Sequence, residues 1–189
     1  GGLKIVTTLD LDLQNMAEAS VAGEIKKLEK QKVSNGATLI TEPKTGEILA
    51  MVGSKDYFAD DVDGKYNVTT AMRQPGSAIK PLTYAVGIET GRVTAASVYY
   101  DGGVCFKQEV GKLYCPSNYG NRYFGVQTAR NALGNSLNIP AVKTLKLVGV
   151  ETFVASASAM GIESFSDPSN YGLSLTLGGG EVRATEMNV

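Results

Sequence analysis

The chain has 189 residues, 43% hydrophobic and 20% charged, with a formal net charge of −1. A chain of this length can bury a substantial core, and its balanced charge gives no electrostatic footprint for nucleic acid. It contains no histidine, which excludes a Ser-His-Asp triad and a His-ligated zinc site and leaves Lys, Tyr, Asp or Glu to act as any general base.

The Gly1-Gly2 start is neither a signal peptide nor an initiator sequence, so the chain reads as a portion of something longer. No apolar run approaches the roughly 20 residues that span a bilayer. Leu13, Met16, Ala17, Val21, Ile25 and Leu28 fall on one stripe, with Glu18, Glu24, Lys26, Lys27 and Lys30 mostly off it. This predicts an amphipathic helix capped by Asp10 or Thr8. Two β-rich runs, residues 36–41 and 47–53, flank Glu42-Pro43-Lys44-Thr45-Gly46 and predict an antiparallel hairpin with Gly46 at positive φ. Residues 54–72 lack a sustained apolar period and read as a loop. Its Asp56, Asp60, Asp61 and Asp63 lack the spacing and terminal Glu of a calcium loop, so no metal is expected there.

Pro75 and Gly76 mark a turn, and the apolar spacing of Ile79, Leu82 and Val86 predicts a helix opening at Ser77 and ending at Gly91. Residues three apart share a helix face, which sets Lys80 beside the Ser77 hydroxyl at the end where unpaired N–H groups favour negative charge. A serine with an adjacent amine base is a nucleophile candidate; a capping serine with a solvated lysine is the plain alternative. The runs 102–106 and 112–116 predict short strands paired around Glu109-Val110-Gly111. Cys105 and Cys115 are too few for a four-thiolate metal site but close enough to form a disulfide across that hairpin, with two buried free thiols as the alternative. Asn118, Tyr119, Gly120 and Asn121 read as a loop. Residues 126–133 read as a helix ended by Gly134-Asn135. In Ser136-Leu137-Asn138, alternation sets Ser136 and Asn138 on one side of an extended or tight segment. Helices are expected over 141–148 and 152–160. Gly178-Gly179-Gly180 lacks the Gly-Lys-Ser/Thr of a phosphate loop and reads as close backbone packing, with Glu186-Met187 opening a further helix.

The string Arg73-Gln74-Pro75-Gly76-Ser77-Ala78-Ile79-Lys80-Pro81 resembles the active-site segment of class A penicillin-binding proteins. Ser136-Leu137-Asn138, 59 residues on from Ser77 and followed by Ile139-Pro140-Ala141-Val142, resembles the second motif of the same family. Residues 175–182 resemble its glycine-rich stretch, and the resemblance runs nearly from end to end. It implies an α+β serine penicillin-recognising (β-lactamase/transpeptidase-like) fold, a helical subdomain plus part of an antiparallel sheet. Residues 1–35 would be the opening segment and first helix, and 36–189 the N-terminal part of the transpeptidase domain.

The same resemblance implies an acyl-serine D,D-transpeptidase that cross-links peptidoglycan stem peptides and binds β-lactam antibiotics covalently, with no cofactor and no metal. Ser77 would be the nucleophile, Lys80 the general base, Ser136 the proton relay, and Asn138 the residue that positions Lys80 and substrate. The parent protein would carry a glycosyltransferase domain and a membrane anchor and act on the extracytoplasmic face of the bacterial membrane. Lys44-Thr45-Gly46 spells the family's third motif but precedes the nucleophile and follows a proline, so it is assigned to the turn. The family's Lys-Thr-Gly strand and its neighbouring strands are expected beyond Val189. A β-lactamase or D,D-carboxypeptidase would share Ser77 and Lys80 but pass the acyl group to water. A catalytically incomplete penicillin-binding scaffold module is the non-enzymatic alternative.

Overall fold

Asp10 opens the first helix: its carboxylate accepts from the N–H groups of Asp12 at 2.9 Å and Leu13 at 3.0 Å, and α1 (Leu11–Lys27) follows. The computed structural model describes residues 2–107 and 113–188, which divide into two units, Gly1–Arg73 with Arg183–Val189, and Gln74–Val182. No helix among the described residues is long and apolar enough to cross a membrane.

In the first unit, α1 buries Ala17 and Val21 with Leu13 and Ile25 beside them, whereas Met16 is 54% and Leu28 37% exposed. The buried row has a strict spacing of four, so the stripe is narrower than the full apolar set and Met16 falls off its edge. It packs against a hairpin of β1 (Thr38–Thr41) and β2 (Ile48–Val52), paired antiparallel with Leu39 opposite Met51. Gly46 closes the turn at φ 74°, its N–H donating to the Glu42 carbonyl at 2.8 Å, and so Lys44-Thr45-Gly46 lies in the turn. The far edge of β2 is covered by α1 and the residue before it. The Asp10 N–H donates to the Leu49 carbonyl at 2.9 Å, and the Gln14 amide meets Met51 N–H at 2.8 Å and Met51 C=O at 3.1 Å. In the following loop Lys55 pairs with Asp61 at 2.7 Å, and no cluster able to hold a metal occurs among the described residues. Glu186 does not open a helix as expected. It sits at the third position of a single turn, Ala184–Met187, and its carboxylate accepts from the Arg183 N–H at 3.0 Å.

In the second unit a 3₁₀ turn, Gly76–Ile79, runs into α2 (Lys80–Glu89), with Pro81 in the first turn, where a missing N–H leaves nothing unpaired. The helix proper therefore begins at Lys80 rather than at Ser77. After β3 (Val98–Asp101) come β4 (Phe106–Lys107) and β5 (Leu113–Tyr114), paired antiparallel with Phe106 opposite Tyr114. Cys105 and Cys115 flank this pair and are joined by a disulfide. The predicted turn Glu109-Val110-Gly111 and the adjoining Lys112 lie outside the described residues.

Residues 126–128, expected to be helical, instead form β6 (Gly125–Thr128), antiparallel to β3 with Tyr99 opposite Gln127. Backbone pairing to β3 decides the conformation here, and the helix waits for a cap: the Thr128 hydroxyl accepts from the Asn131 N–H at 3.3 Å and α3 (Ala129–Gly134) begins. Then come α4 (Asn138–Val148) and α5 (Val150–Ala159), separated by Gly149. α2 packs on α4 and α5 over a core that includes Tyr84, Tyr99, Ala132, Leu137 and Ala141. A 3₁₀ segment, Leu173–Leu177, is tied to α2 by the buried hydroxyl pair Thr83–Thr176 at 2.8 Å.

Candidate active site

Lys80 is the first residue of α2 and only 1% exposed, so its ammonium must find partners inside the fold. It finds three, all oxygens without formal charge. Nζ donates to the Ser136 carbonyl at 2.5 Å, to Ser136 Oγ at 3.1 Å and to Asn138 Oδ1 at 2.6 Å. Among the described residues Lys80 makes no ion pair, and burial pulls its pKa down from 10.5 to about 8.

The partner set fits both charge states. An ammonium fills all three contacts with its three N–H bonds. In the neutral amine two N–H bonds remain for the Ser136 carbonyl and Asn138 Oδ1, which can only accept, and the lone pair is left for the Ser136 hydroxyl to donate into. Lys80 and Ser136 are therefore arranged to exchange a proton without moving apart.

Ser136 reaches this position through the end of α3. The Leu137 N–H donates to the Ala132 carbonyl at 2.9 Å and the Ser136 N–H to the Leu133 carbonyl at 2.9 Å, the paired closure that terminates a helix with one residue in the left-handed region. That residue is Ser136 itself, at φ 52°. The site usually taken by glycine is occupied here by a side chain whose hydroxyl faces Lys80. Asn138 starts α4, and its amide orientation is fixed from behind: Nδ2 donates to the Ser117 carbonyl at 2.7 Å, which turns Oδ1 toward Lys80.

Ser77 is exposed on the 3₁₀ turn, and the Lys80 N–H donates to its carbonyl. Among the described residues no hydrogen bond joins its hydroxyl to Lys80, and its own N–H has no acceptor. The turn is held from below by Gly178 at φ 89°, where an added Cβ would lie 2.3 Å from the Gly76 nitrogen. The glycine run thus serves backbone contact beside Ser77.

The sequence reading missed Asn118 and Asp101. Asn118 Oδ1 accepts from the Asn138 N–H at 2.7 Å, supplying the cap that Leu137 cannot give α4. A cavity of about 520 Å³ opens beside Ser136, lined in part by Asn118, Arg122, Phe124 and Gln127.

Against known proteins, the family model described as "Penicillin binding protein transpeptidase domain" matches residues 36–182. The chain is 36% identical over 179 residues to penicillin-binding protein 4 of Bacillus subtilis, covering 94% of this chain and 27% of that protein. It is 37% identical over 181 residues to penicillin-binding protein 1F of the same organism, covering 95% of this chain and 23% of the relative. Among solved structures, penicillin-binding protein 1A from Haemophilus influenzae superposes with a TM-score of 0.70 at 29% identity, covering 81% of this chain and 22% of that one. The chain thus spans about a quarter of the length of the curated relatives it matches.

Proposed function

This chain belongs to the penicillin-binding protein transpeptidase family, and we propose that it carries the acyl-serine centre of a D,D-transpeptidase that cross-links peptidoglycan stem peptides and is acylated by β-lactams. Ser77 Oγ attacks the carbonyl of the penultimate D-Ala while its proton passes to the Lys80 amine. The tetrahedral oxyanion is met by the unpaired Ser77 N–H. As the C–N bond breaks, the proton leaves through Ser136 to the departing D-Ala amine, and the acyl group stays on Ser77 as an ester. The amine of a second stem peptide then attacks the ester, forms the cross-link and returns the proton to the serine. Asn138 holds Lys80 in place and offers its amide to the substrate backbone.

The single observation that carries this reading is the buried Lys80 Nζ held by Ser136 and Asn138 alone, with no carboxylate among the described residues to keep it charged. With a pKa near 8, about a tenth of Lys80 is neutral at pH 7, enough to serve as a base. The kinship with penicillin-binding protein 1A sequences supports a parent of class A, with a glycosyltransferase domain, a membrane anchor and an extracytoplasmic transpeptidase. That location also suits the Cys105–Cys115 disulfide.

The test is labelling of the full-length protein with a fluorescent penicillin, followed by mass spectrometry of the labelled peptide. Label on Ser77, lost in Ser77→Ala and stable for hours, is the expected result. Label elsewhere refutes the site, and rapid loss of label to water assigns the protein to the hydrolases.

A further inference from the structure

Asp101, the last residue of β3, is fully buried, and its carboxylate accepts three hydrogen bonds. Oδ1 takes Asn118 Nδ2 at 2.9 Å, and Oδ2 takes Asn118 Nδ2 at 2.8 Å and the Phe124 N–H at 2.9 Å. Asn118, itself 6% exposed, sends the same Nδ2 to the Arg122 carbonyl at 2.9 Å. All three groups facing Nδ2 can only accept. The Asn118 amide therefore has one allowed orientation, with Oδ1 turned to the Asn138 N–H. Reversed, the amide would set an oxygen against a buried carboxylate.

The neighbouring residue acts on the same target, since the Ser117 carbonyl takes Asn138 Nδ2. Backbone and side chain of Asn138 are thus both held by two consecutive residues of one loop, and that loop is anchored on Asp101. A buried carboxylate is expensive unless it is well hydrogen-bonded, and here two of its three hydrogen bonds come from the residue that holds the Asn138 N–H.

We propose that Asp101 is a positioning residue for the acyl-serine reaction: through Asn118 it fixes the N-terminus of α4 and so aims the Asn138 amide oxygen at Lys80. The relay runs from Asp101 to Asn118, from Asn118 to Asn138, and from Asn138 to Lys80, in hydrogen bonds of 2.6 to 2.9 Å. Asp101 touches neither substrate nor nucleophile in this scheme. Its effect is on where the base sits, and small displacements of a base are costly in rate.

The inference rests on the acyl-serine reading, so the experiment measures Ser77 acylation by a fluorescent penicillin in full-length wild type, Asp101→Asn, Asn118→Ala and the double variant, alongside thermal melting. Asp101→Asn retains size but turns an NH₂ group toward a donor. Its acylation rate per folded molecule is expected to fall about 10- to 100-fold, on the order of what is lost when the partner that orients a metal-ligating side chain is removed. Because Asp101 acts through Asn118, Asn118→Ala is expected to slow acylation to a similar degree, and adding Asp101→Asn to it to slow acylation by no more than about 2- to 3-fold further. Unchanged acylation per folded molecule in Asp101→Asn overturns the proposal, as does a double variant whose loss is the product of the two single losses. Should Asp101→Asn fail to fold, Asn118→Ala is compared with wild type directly, and unchanged acylation there overturns the proposal; if neither folds, the pair is structural and the proposal falls. Wild type that takes no label at Ser77 would instead defeat the acyl-serine reading itself.

Discussion

Ser136 offers a test in which stability and chemistry separate, because its backbone and its hydroxyl serve different ends. At φ 52° it occupies a region that costs an L-residue about 1–2 kcal/mol, while Gly pays nothing there in the folded state. Ser136→Gly and Ser136→Ala both delete the Oγ contact to Lys80 Nζ at 3.1 Å, so that loss, about 1–2 kcal/mol, cancels when the two variants are compared. What remains is the relief of strain in the glycine variant, less about 0.5–1 kcal/mol for the greater freedom of glycine in the unfolded chain. Ser136→Gly should therefore be more stable than Ser136→Ala by about 0.5–1 kcal/mol, the reverse of the usual order within helices. For a domain of this size that is about 2–4 °C in melting temperature per kcal/mol, measured by calorimetry on the full-length variants. Penicillin acylation should fall in both by about 10²- to 10⁴-fold and to the same level within a few-fold, since neither has the hydroxyl. An alanine variant that melts at or above the glycine variant refutes the strain argument, and a glycine variant acylated at the wild-type rate refutes the relay.

Gly178→Ala sets a Cβ 2.3 Å from the Gly76 nitrogen at φ 89°, so it should destabilise the domain by more than about 1 kcal/mol, on the order expected for a forced positive φ, and slow acylation of Ser77; denaturant melts and labelling rates check both. Acylation should rise with pH through about 8 as Lys80 becomes neutral, and a rate independent of pH from 6 to 10 would remove Lys80 from the role of base. The same pKa has a stability signature: folded Lys80 releases its proton near pH 8 and the unfolded chain near 10.5, so the unfolded state holds more protons between those values. Stability relative to Lys80→Met should accordingly be flat below pH 8 and increase by up to about 3 kcal/mol as pH rises to 10.5, read from urea unfolding at each pH.

Elements whose signals are local were legible in the sequence. The four-residue spacing of Leu13, Ala17, Val21 and Ile25 and the Asp10 cap gave α1, and Pro43 with Gly46 between two β-rich runs gave the hairpin. Residues 126–128 are not legible in this way because their conformation is set by β3, about 27 residues earlier in the chain, while locally they run straight into the helical residues that begin at Ala129. At the end of α3, Gly134 and Asn135 are the residues that ordinarily take the left-handed position, yet the closure falls one step later, on Ser136. Asp101 and Asn118 carry no motif at all; only the contact across the fold marks them.

The spacing of Ser77 and Lys80 was visible from the sequence, but it does not specify what the lysine does. In the 3₁₀ turn side chains three apart eclipse, so proximity alone would leave Lys80 over Ser77 and in water with it. The fold separates their environments: Ser77 stays exposed, and Lys80, one step into α2, is buried with its amine on Ser136 and Asn138. A nucleophile must be reachable by a peptide, and a base with a reference pKa near 10.4 must be dry to be neutral near pH 7. These demands conflict for two groups on one exposed helix turn, and the conflict is resolved by partners 56 and 58 residues away. The motif spacing brings the two residues together, while tertiary packing gives them different solvents.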